Sequence, residues 1–137
     1  MAFHPIDRDI WDRAERFEHY FSQVPCFYSM TVDLDVTELK RRGGRFYPAV
    51  LYSLAVIVNR HREFRMAFNE EGVLGWYDQL SPSYTVFHPD TESFSCLWTE
   101  YTPDLSAFLQ RYEEDLRLYG SVESFEAKPH TPPNVFN

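Results

Sequence analysis

Two neighbouring stretches of alternating sequence decide the fold of this chain. They are residues 83–88 (SYTVFH) and residues 93–100 (SFSCLWTE), and a turn that starts with Pro-Asp separates them. In the second stretch Phe94, Cys96 and Trp98 alternate with smaller or differently oriented side chains. A period of two residues places successive side chains on opposite faces of a strand. Both stretches are therefore predicted to be β-strands of a sheet.

The elements around these strands are predicted from hydrophobic period and from capping residues. Thr37 and Thr102 are the expected N-caps of two helices, because a threonine hydroxyl accepts a free amide of the first turn. The run 49–58 is apolar nearly all round, so its helix should be buried on most sides. The predicted order is helix 11–22, strand 28–36, helix 37–42 stopped by Gly43-Gly44, helix 48–58, strands 64–68 and 73–77, the two strands above, and helix 103–119.

Helices and strands are mixed along the chain without strict alternation. That order favours an α+β fold or an open mixed sheet. The 137 residues suit one domain, 1–137. Residues 121–137 contain Pro129, Pro132 and Pro133 and show no periodicity, which predicts an extended connector. Because a connector leads to further structure, we expect the domain to be partial, with additional strands beyond it.

The charge balance excludes one class of partner. Thirteen Lys and Arg stand against 21 Asp and Glu, giving a net charge of −8. Nucleic-acid binding needs basic patches, so no nucleic acid is expected. No apolar run reaches the about 18 residues of a membrane span, and the first residues do not form a signal peptide. We expect a cytoplasmic protein.

A search for catalytic or metal motifs finds no complete set. There is no Gly-x-Ser-x-Gly elbow, no phosphate-binding glycine loop and no His-x-x-x-His or Cys-x-x-Cys pair. His88 and Glu92 are four residues apart, but a strand-end turn explains them better than a metal site. Aromatic and small side chains recur near Tyr20, Cys26 and Tyr28, and again near Thr85. From composition alone these positions are more often ordinary core than a ligand pocket.

Several motifs, taken in order, resemble the chloramphenicol acetyltransferases. The most specific are YTVFH at residues 84–88 and TESFS at residues 91–95. Others are WDR…FEHY…PC at residues 11–26, FYPA at residues 46–49, NRHREFRMA at residues 59–67 and PNVFN at residues 133–137. The match extends over essentially the whole chain, so the chain is identified as a member of this family, matching its N-terminal part.

The resemblance implies a fold, a reaction and an assembly. Members are α/β two-layer sandwiches, with a mixed β-sheet covered by helices, and they form trimers with active sites between subunits. They move an acetyl group from acetyl-CoA, a co-substrate, to a hydroxyl of chloramphenicol, which confers antibiotic resistance. The family's base is the second histidine of a His-His-x-x-x-Asp-Gly motif, and a serine helps to stabilise the oxyanion. Neither is found in these 137 residues, so we expect the 137-residue chain alone to be inactive. The alternative is a non-catalytic drug-binding or pseudo-enzyme fragment.

The resemblance also assigns site residues. Arg13 resembles an arginine that supports the site by pairing with the aspartate of the missing motif, but without that partner an exposed helix charge explains it better. Arg45 and Tyr47 resemble positions near the adenosine end of coenzyme A, although a loop charge and a ring at a helix start explain them equally well. No metal is implied. The residues expected to line the drug pocket are His19, Tyr20, Val24, Cys26, Tyr28, Ser83, Thr85, Phe94, Cys96 and Asn137.

Overall fold

The computed structural model describes residues 2–41, 43 and 45–137. Two details of the predicted second helix, its end at Arg42 and a stop at Gly44, lie outside the described residues. The elements in chain order are β1 (Phe3–Pro5), α1 (Ala14–Glu18), a π-helical turn (His19–Gln23), α2 (Thr37–Arg41), α3 (Phe46–Arg60), a 3₁₀ turn (Arg62–Arg65), β2 (Met66–Phe68), β3 (Leu74–Tyr77), β4 (Ser81–His88), β5 (Ser93–Trp98), α4 (Leu105–Tyr119) and β6 (Val135–Phe136).

The strands form two three-stranded sheets. The first sheet is antiparallel in the order β1-β3-β2. β1 pairs with β3 at Gly75, where a Cβ atom would clash with the Phe3 ring. The second sheet has the order β5-β4-β6, with β4 antiparallel to β5 and parallel to β6. A mixed sheet with helices packed on it is the predicted α+β arrangement.

The hydrophobic core lies between the second sheet and the helices α3 and α4. Tyr84 and Leu97 point from the sheet into this core, and Leu51, Phe108 and Tyr112 meet them from the helices. Phe108 is completely buried. Since strand side chains alternate, the neighbours of Tyr84 and Leu97 point away from the helices. One face of the second sheet is therefore covered and the other is open.

Residues 121–137, here called the C-terminal segment, lie along both edges of the second sheet. The Cys96 amide donates to the Phe125 carbonyl at 2.6 Å, and the Ala127 amide donates to the Cys96 carbonyl at 3.2 Å. At the other edge β6 pairs with the start of β4. The sequence predicted an extended connector here but not these two pairings, because two or three paired residues are too short to show a period.

The predicted strand 28–36 is wrong. In the described residues no strand includes any part of 24–36, and Phe27 and Tyr28 are 92% and 88% exposed. The alternating pattern is present, but a strand also needs a partner for its backbone amides and carbonyls. Within the part of the chain that the structure describes, none pairs with it.

The two predicted helix caps are also wrong, for one reason. Asp104, rather than Thr102, accepts the Ala107 amide at 2.7 Å and starts α4. Likewise the Asp35 carboxylate accepts the Thr37 amide at 2.9 Å. Hydrogen bonds from the Thr37 side chain first, and then from its amide, lower the pKa of Asp35. Asp104 is the N-cap of α4, where Asp is at least as favourable as Thr, and Asp35 binds the first amide of α2 from two residues before that helix begins.

Helix α3 is less buried than its sequence predicted. Leu51 and Ala55 face the core, but Leu54 and Ile57 remain about half exposed, at 49% and 48%. Sheet and neighbouring helix cover only one side of it in this structure.

Among the described residues, no helix is long and apolar enough to cross a membrane.

A chain of buried polar groups runs beneath the open face. The Tyr84 hydroxyl shares a hydrogen bond with Thr99 at 2.9 Å, and the Thr99 hydroxyl donates to Asp115 at 2.8 Å. Burial raises the pKa of Tyr84 well above its ordinary value, and the Asp115 carboxylate adds to the rise, while the Thr99 hydrogen bond opposes it. Tyr84 is thus held as the neutral phenol in the folded protein.

Replacing Phe108 by Ala tests the position of the core. We expect Phe108→Ala to lower the free energy of unfolding by about 3–5 kcal/mol, because a completely buried ring leaves a cavity. Leu105→Ala, on the same helix but 45% exposed, is the control and should cost clearly less. Urea denaturation measures both, and equal losses would contradict this core.

The neutral state of Tyr84 predicts a pH dependence of stability. Its folded-state pKa is raised, so the unfolded chain releases the phenol proton first, above pH about 10. The stability that Tyr84 contributes is present below that pH and is lost as pH rises. Tyr84→Phe should cost about 1 kcal/mol at neutral pH through the lost hydrogen bond. It should also make the stability fall less steeply between pH 9 and pH 11, on the basis of that linkage. Parallel profiles for the two proteins would count against this assignment.

Candidate functional site

The open face of the second sheet brings together four of the predicted site residues. Thr85 lies directly opposite Cys96 in the β4–β5 register, and Phe94 lies opposite Phe87. Ser83 follows on the same face, two residues before Thr85. Directly opposed side chains on one face are about 4.5–5.5 Å apart at their Cβ atoms. Two hydroxyls, a thiol and two rings therefore share one surface.

The aromatic end of this surface is accessible. Phe94 is 50% exposed and packs edge-on against Phe125 of the C-terminal segment, with ring centroids 6.0 Å apart. Cys96 is half-buried and its thiol is free. A face with rings at one end and small polar groups along its middle suits a flat organic molecule with hydroxyl groups.

A cavity of about 360 Å³ lies between α3, Ser83 of β4 and the last two residues of the C-terminal segment, and it contains both kinds of predicted residue. Ser83 and Asn137, both assigned to the drug pocket, share it with Tyr47, assigned to coenzyme A. Leu54 of α3 and Phe136 of β6 add apolar walls. Burial raises the pKa of Tyr47.

Arg45 lies just before α3 and does not line this cavity. Its guanidinium pairs with Glu113 of α4 at 3.3 Å, and both side chains are largely exposed. The pair holds the start of α3 near the middle of α4. An anionic ligand at Arg45 would have to compete with this carboxylate.

The other predicted pocket residues lie in a second place. His19 and Tyr20 belong to the π-helical turn, which the Val24 amide closes by donating to the His19 carbonyl at 2.8 Å. His19 shares a hydrogen bond with Gln23 at 3.2 Å. Val24, Cys26 and Tyr28 continue into the exposed segment 24–36. Among the described residues, no hydrogen bond, ion pair or ring contact joins this group to the open face of the second sheet.

A large cavity lies beside this second group. Its volume is about 950 Å³, and it separates the N-terminal helix from the first sheet. Tyr20 and Arg13 line it together with Phe17 and Phe68, whose rings are 6.3 Å apart. Arg13 is exposed, and Arg16 of α1 and Glu63 of the 3₁₀ turn also line this cavity. Arg13 and Tyr20 thus line the same cavity, and the supporting role of Arg13 stays a prediction.

His88 belongs to the covered face of the sheet. Its Nε2 shares a 2.9 Å hydrogen bond with the Ser95 hydroxyl, and both residues are buried. Glu92 lies in the turn between β4 and β5 with a φ of 49°. In the described ranges, no group of three or more His, Cys, Asp or Glu side chains could hold a metal ion. The two residues are part of a strand-end turn.

The sequence reasoning missed the buried polar residues behind the open face, namely Thr99, Asp115 and Lys128. One signal was available. Asp115 falls on the apolar stripe of α4, beside Tyr112 and Leu116, where a charged residue is out of place unless it has a partner.

Comparisons with known proteins agree with the resemblance. The profile of the chloramphenicol acetyltransferase family matches residues 1–137. A chloramphenicol acetyltransferase of Clostridium perfringens is 54% identical over 137 residues, and one of Clostridioides difficile is also 54% identical. A Staphylococcus aureus chloramphenicol acetyltransferase is 40% identical over 139 aligned positions, which cover 98% of this chain.

These matches cover 93% to 100% of this chain but a smaller share of its relatives. The chain spans 66% of the C. perfringens protein and 65% of the C. difficile protein. A solved structure of a chloramphenicol acetyltransferase superposes with a TM-score of 0.75 at 20% identity, covering 93% of this chain and 60% of that one. This likeness confirms the predicted fold. Together with the profile that spans residues 1–137, the identity to curated relatives shows that the chain belongs to the chloramphenicol acetyltransferase family.

Proposed function

We propose that this chain forms the substrate-binding part of a chloramphenicol O-acetyltransferase, which confers resistance to the antibiotic. One observation carries the proposal. The β4–β5 register places Thr85, Cys96, Phe94 and Ser83 on one open face. The family relation supplies the reaction, transfer of acetyl from acetyl-CoA to a drug hydroxyl.

The open face matches the chemistry of the drug. A nitrophenyl ring would lie against Phe94, and the hydroxyls of Thr85 and Ser83 would exchange hydrogen bonds with the polar side chain of the drug. His19, Tyr20, Val24, Cys26 and Tyr28 would form another wall of the same pocket. In the homotrimer that we propose, sites between subunits allow two walls that are separate within one chain to face each other.

Acetyl-CoA would approach from the cavity that contains Tyr47. The Tyr47 ring can stack on adenine, and the Arg45 guanidinium can bind a phosphate in exchange for Glu113. Acetyl-CoA is a metabolite of the cytoplasm, which is where we place the protein. The acetyl transfer needs no metal.

Catalysis needs residues that these 137 do not contain. In the family reaction a histidine removes the proton of the drug hydroxyl. The oxygen attacks the thioester carbonyl, and a hydrogen-bond donor stabilises the oxyanion. When the tetrahedral intermediate collapses, the C–S bond breaks and coenzyme A leaves as the thiol. The 137 residues contain no His-His pair and no Asp-Gly pair.

That absence favours a second candidate function for the 137-residue polypeptide taken by itself. It would bind the drug without acetylating it, as a non-catalytic or pseudo-enzyme fragment. Arg13 would then pair with solvent or with Glu63 across the large cavity, since the motif aspartate is not in these residues.

Acetyl transfer by the 137-residue polypeptide separates the two candidates. Because the base is missing, we expect no release of coenzyme A thiol above background when acetyl-CoA and chloramphenicol are supplied together. Ellman's reagent measures the thiol. Thiol release that depends on chloramphenicol would show that these residues contain a sufficient catalytic set.

Drug binding tests the open face directly. Phe94→Ala should raise the Kd for chloramphenicol about ten-fold, since a stacked ring contributes about 1–2 kcal/mol. Phe64→Ala is a matched control, because Phe64 is similarly exposed, 59% against 50%, but lies in the 3₁₀ turn. Titration calorimetry gives both values. Equal effects of the two substitutions, or no binding by the unmodified chain, would refute the proposal.

A further inference from the structure

Lys128 connects the C-terminal segment to two other elements. Its ammonium group donates to the Asp115 carboxylate at 2.7 Å and to the Trp98 carbonyl at 3.1 Å. The same group lies 3.8 Å from the centroid of the Trp98 indole. Only 16% of the Lys128 side chain and 11% of the Asp115 side chain are exposed. One cation thus joins the C-terminal segment to both α4 and β5.

The geometry of this contact differs from that of the other ion pairs in the described residues. Their side chains are 43% to 68% exposed, and such surface pairs contribute little. Asp115 also accepts from Thr99, so both of its oxygens are used. Removing only one partner of such a buried, fully hydrogen-bonded ion pair is costly, because the other charge stays buried without a partner.

The segment that follows Lys128 is stiff. Pro129, Pro132 and Pro133 fix three φ angles among the five residues between Lys128 and Asn134. At the far end the Asn134 carbonyl accepts the Ser81 amide at 2.9 Å, and the Asn134 side chain donates to the Gln79 carbonyl at 3.1 Å. A stiff connection transmits the position of Lys128 to the start of β6.

β6 and the residue after it form one wall of the cavity that also contains Tyr47 and Ser83. We propose that Lys128 is a positioning residue. Through Asp115 and Trp98 it fixes the C-terminal segment, so that Phe136 and Asn137 close the cavity in which substrate binds. The role of this cavity rests on the proposed function, whereas the mechanical role of Lys128 does not.

The test uses a variant that leaves no buried charge unpaired. Lys128→Met with Asp115→Asn removes both charges, while the asparagine can still accept from Thr99. Arg117→Met is the matched control. Arg117 is in α4, like Asp115, and pairs with Glu114 at 2.6 Å, but this pair is exposed. None of the contacts described joins Arg117 to the C-terminal segment. The single variant Lys128→Arg keeps the positive charge, so it should behave like the unmodified chain.

Hydrogen exchange of backbone amides, without ligand, is the first measurement. In the double variant the amides of Ser81 and Ala127 should exchange at least about ten-fold faster, while those of Leu97 and Phe108 keep their protection. A merely structural role would speed exchange at all four sites in proportion to lost global stability. That uniform result, or unchanged exchange at Ser81, would overturn the proposal.

Ligand binding is the second measurement. Chloramphenicol and acetyl-CoA are titrated separately into the unmodified chain and each variant. The double variant should bind at least one of them about five- to ten-fold more weakly, an affinity change of about 1–1.4 kcal/mol, and Lys128→Arg should bind near normally. Unchanged affinity together with locally faster exchange would refute the link to the cavity. If the unmodified chain binds neither ligand, the proposed function fails, and the exchange data alone decide the role of Lys128.

Discussion

The antiparallel pairing of β4 with β5 is the constraint on which the rest of this structure depends. Its register makes Tyr84 and Leu97 share one face and Thr85 and Cys96 share the other. Helices α3 and α4 pack on the first face, and the hydrophobic core forms between them and the sheet. The second face is left open with hydroxyl, thiol and aromatic groups. A slip by one residue would exchange the two faces, so core and site are fixed by the same ladder.

Elements with a long, local period could be predicted from the sequence. β4, β5, α3 and α4 were found, because their apolar side chains repeat over six or more residues. Residues 28–36 have an equally clear alternation but form no strand in the described chain, since pairing depends on a partner elsewhere. β1 and β6, with three and two residues, are too short to show a period. The caps failed because Asp104 caps the first turn of α4 and Asp35 accepts the first amide of α2, so that neither threonine is needed as the cap.

The candidate site was predictable in a different way. Residue chemistry alone left Tyr20, Cys26 and Thr85 as ordinary core positions, and only the family resemblance assigned them to a pocket. The structure brings Ser83, Thr85, Phe94 and Cys96 together, whereas His19 to Tyr28 lie by the N-terminal cavity. The contact of Lys128 with Asp115 could not be predicted from spacing, because it joins residues 13 apart through tertiary packing.

The central claim is that the open face of β4 and β5 binds the drug. The most direct measurement is a map of backbone amide chemical shifts while chloramphenicol is added to the chain. The account predicts the largest changes at Thr85, Phe94 and Cys96, with smaller ones at Ser83 and Asn137. Changes confined to the cavity around Phe17 and Phe68, with none on β4 and β5, would contradict it.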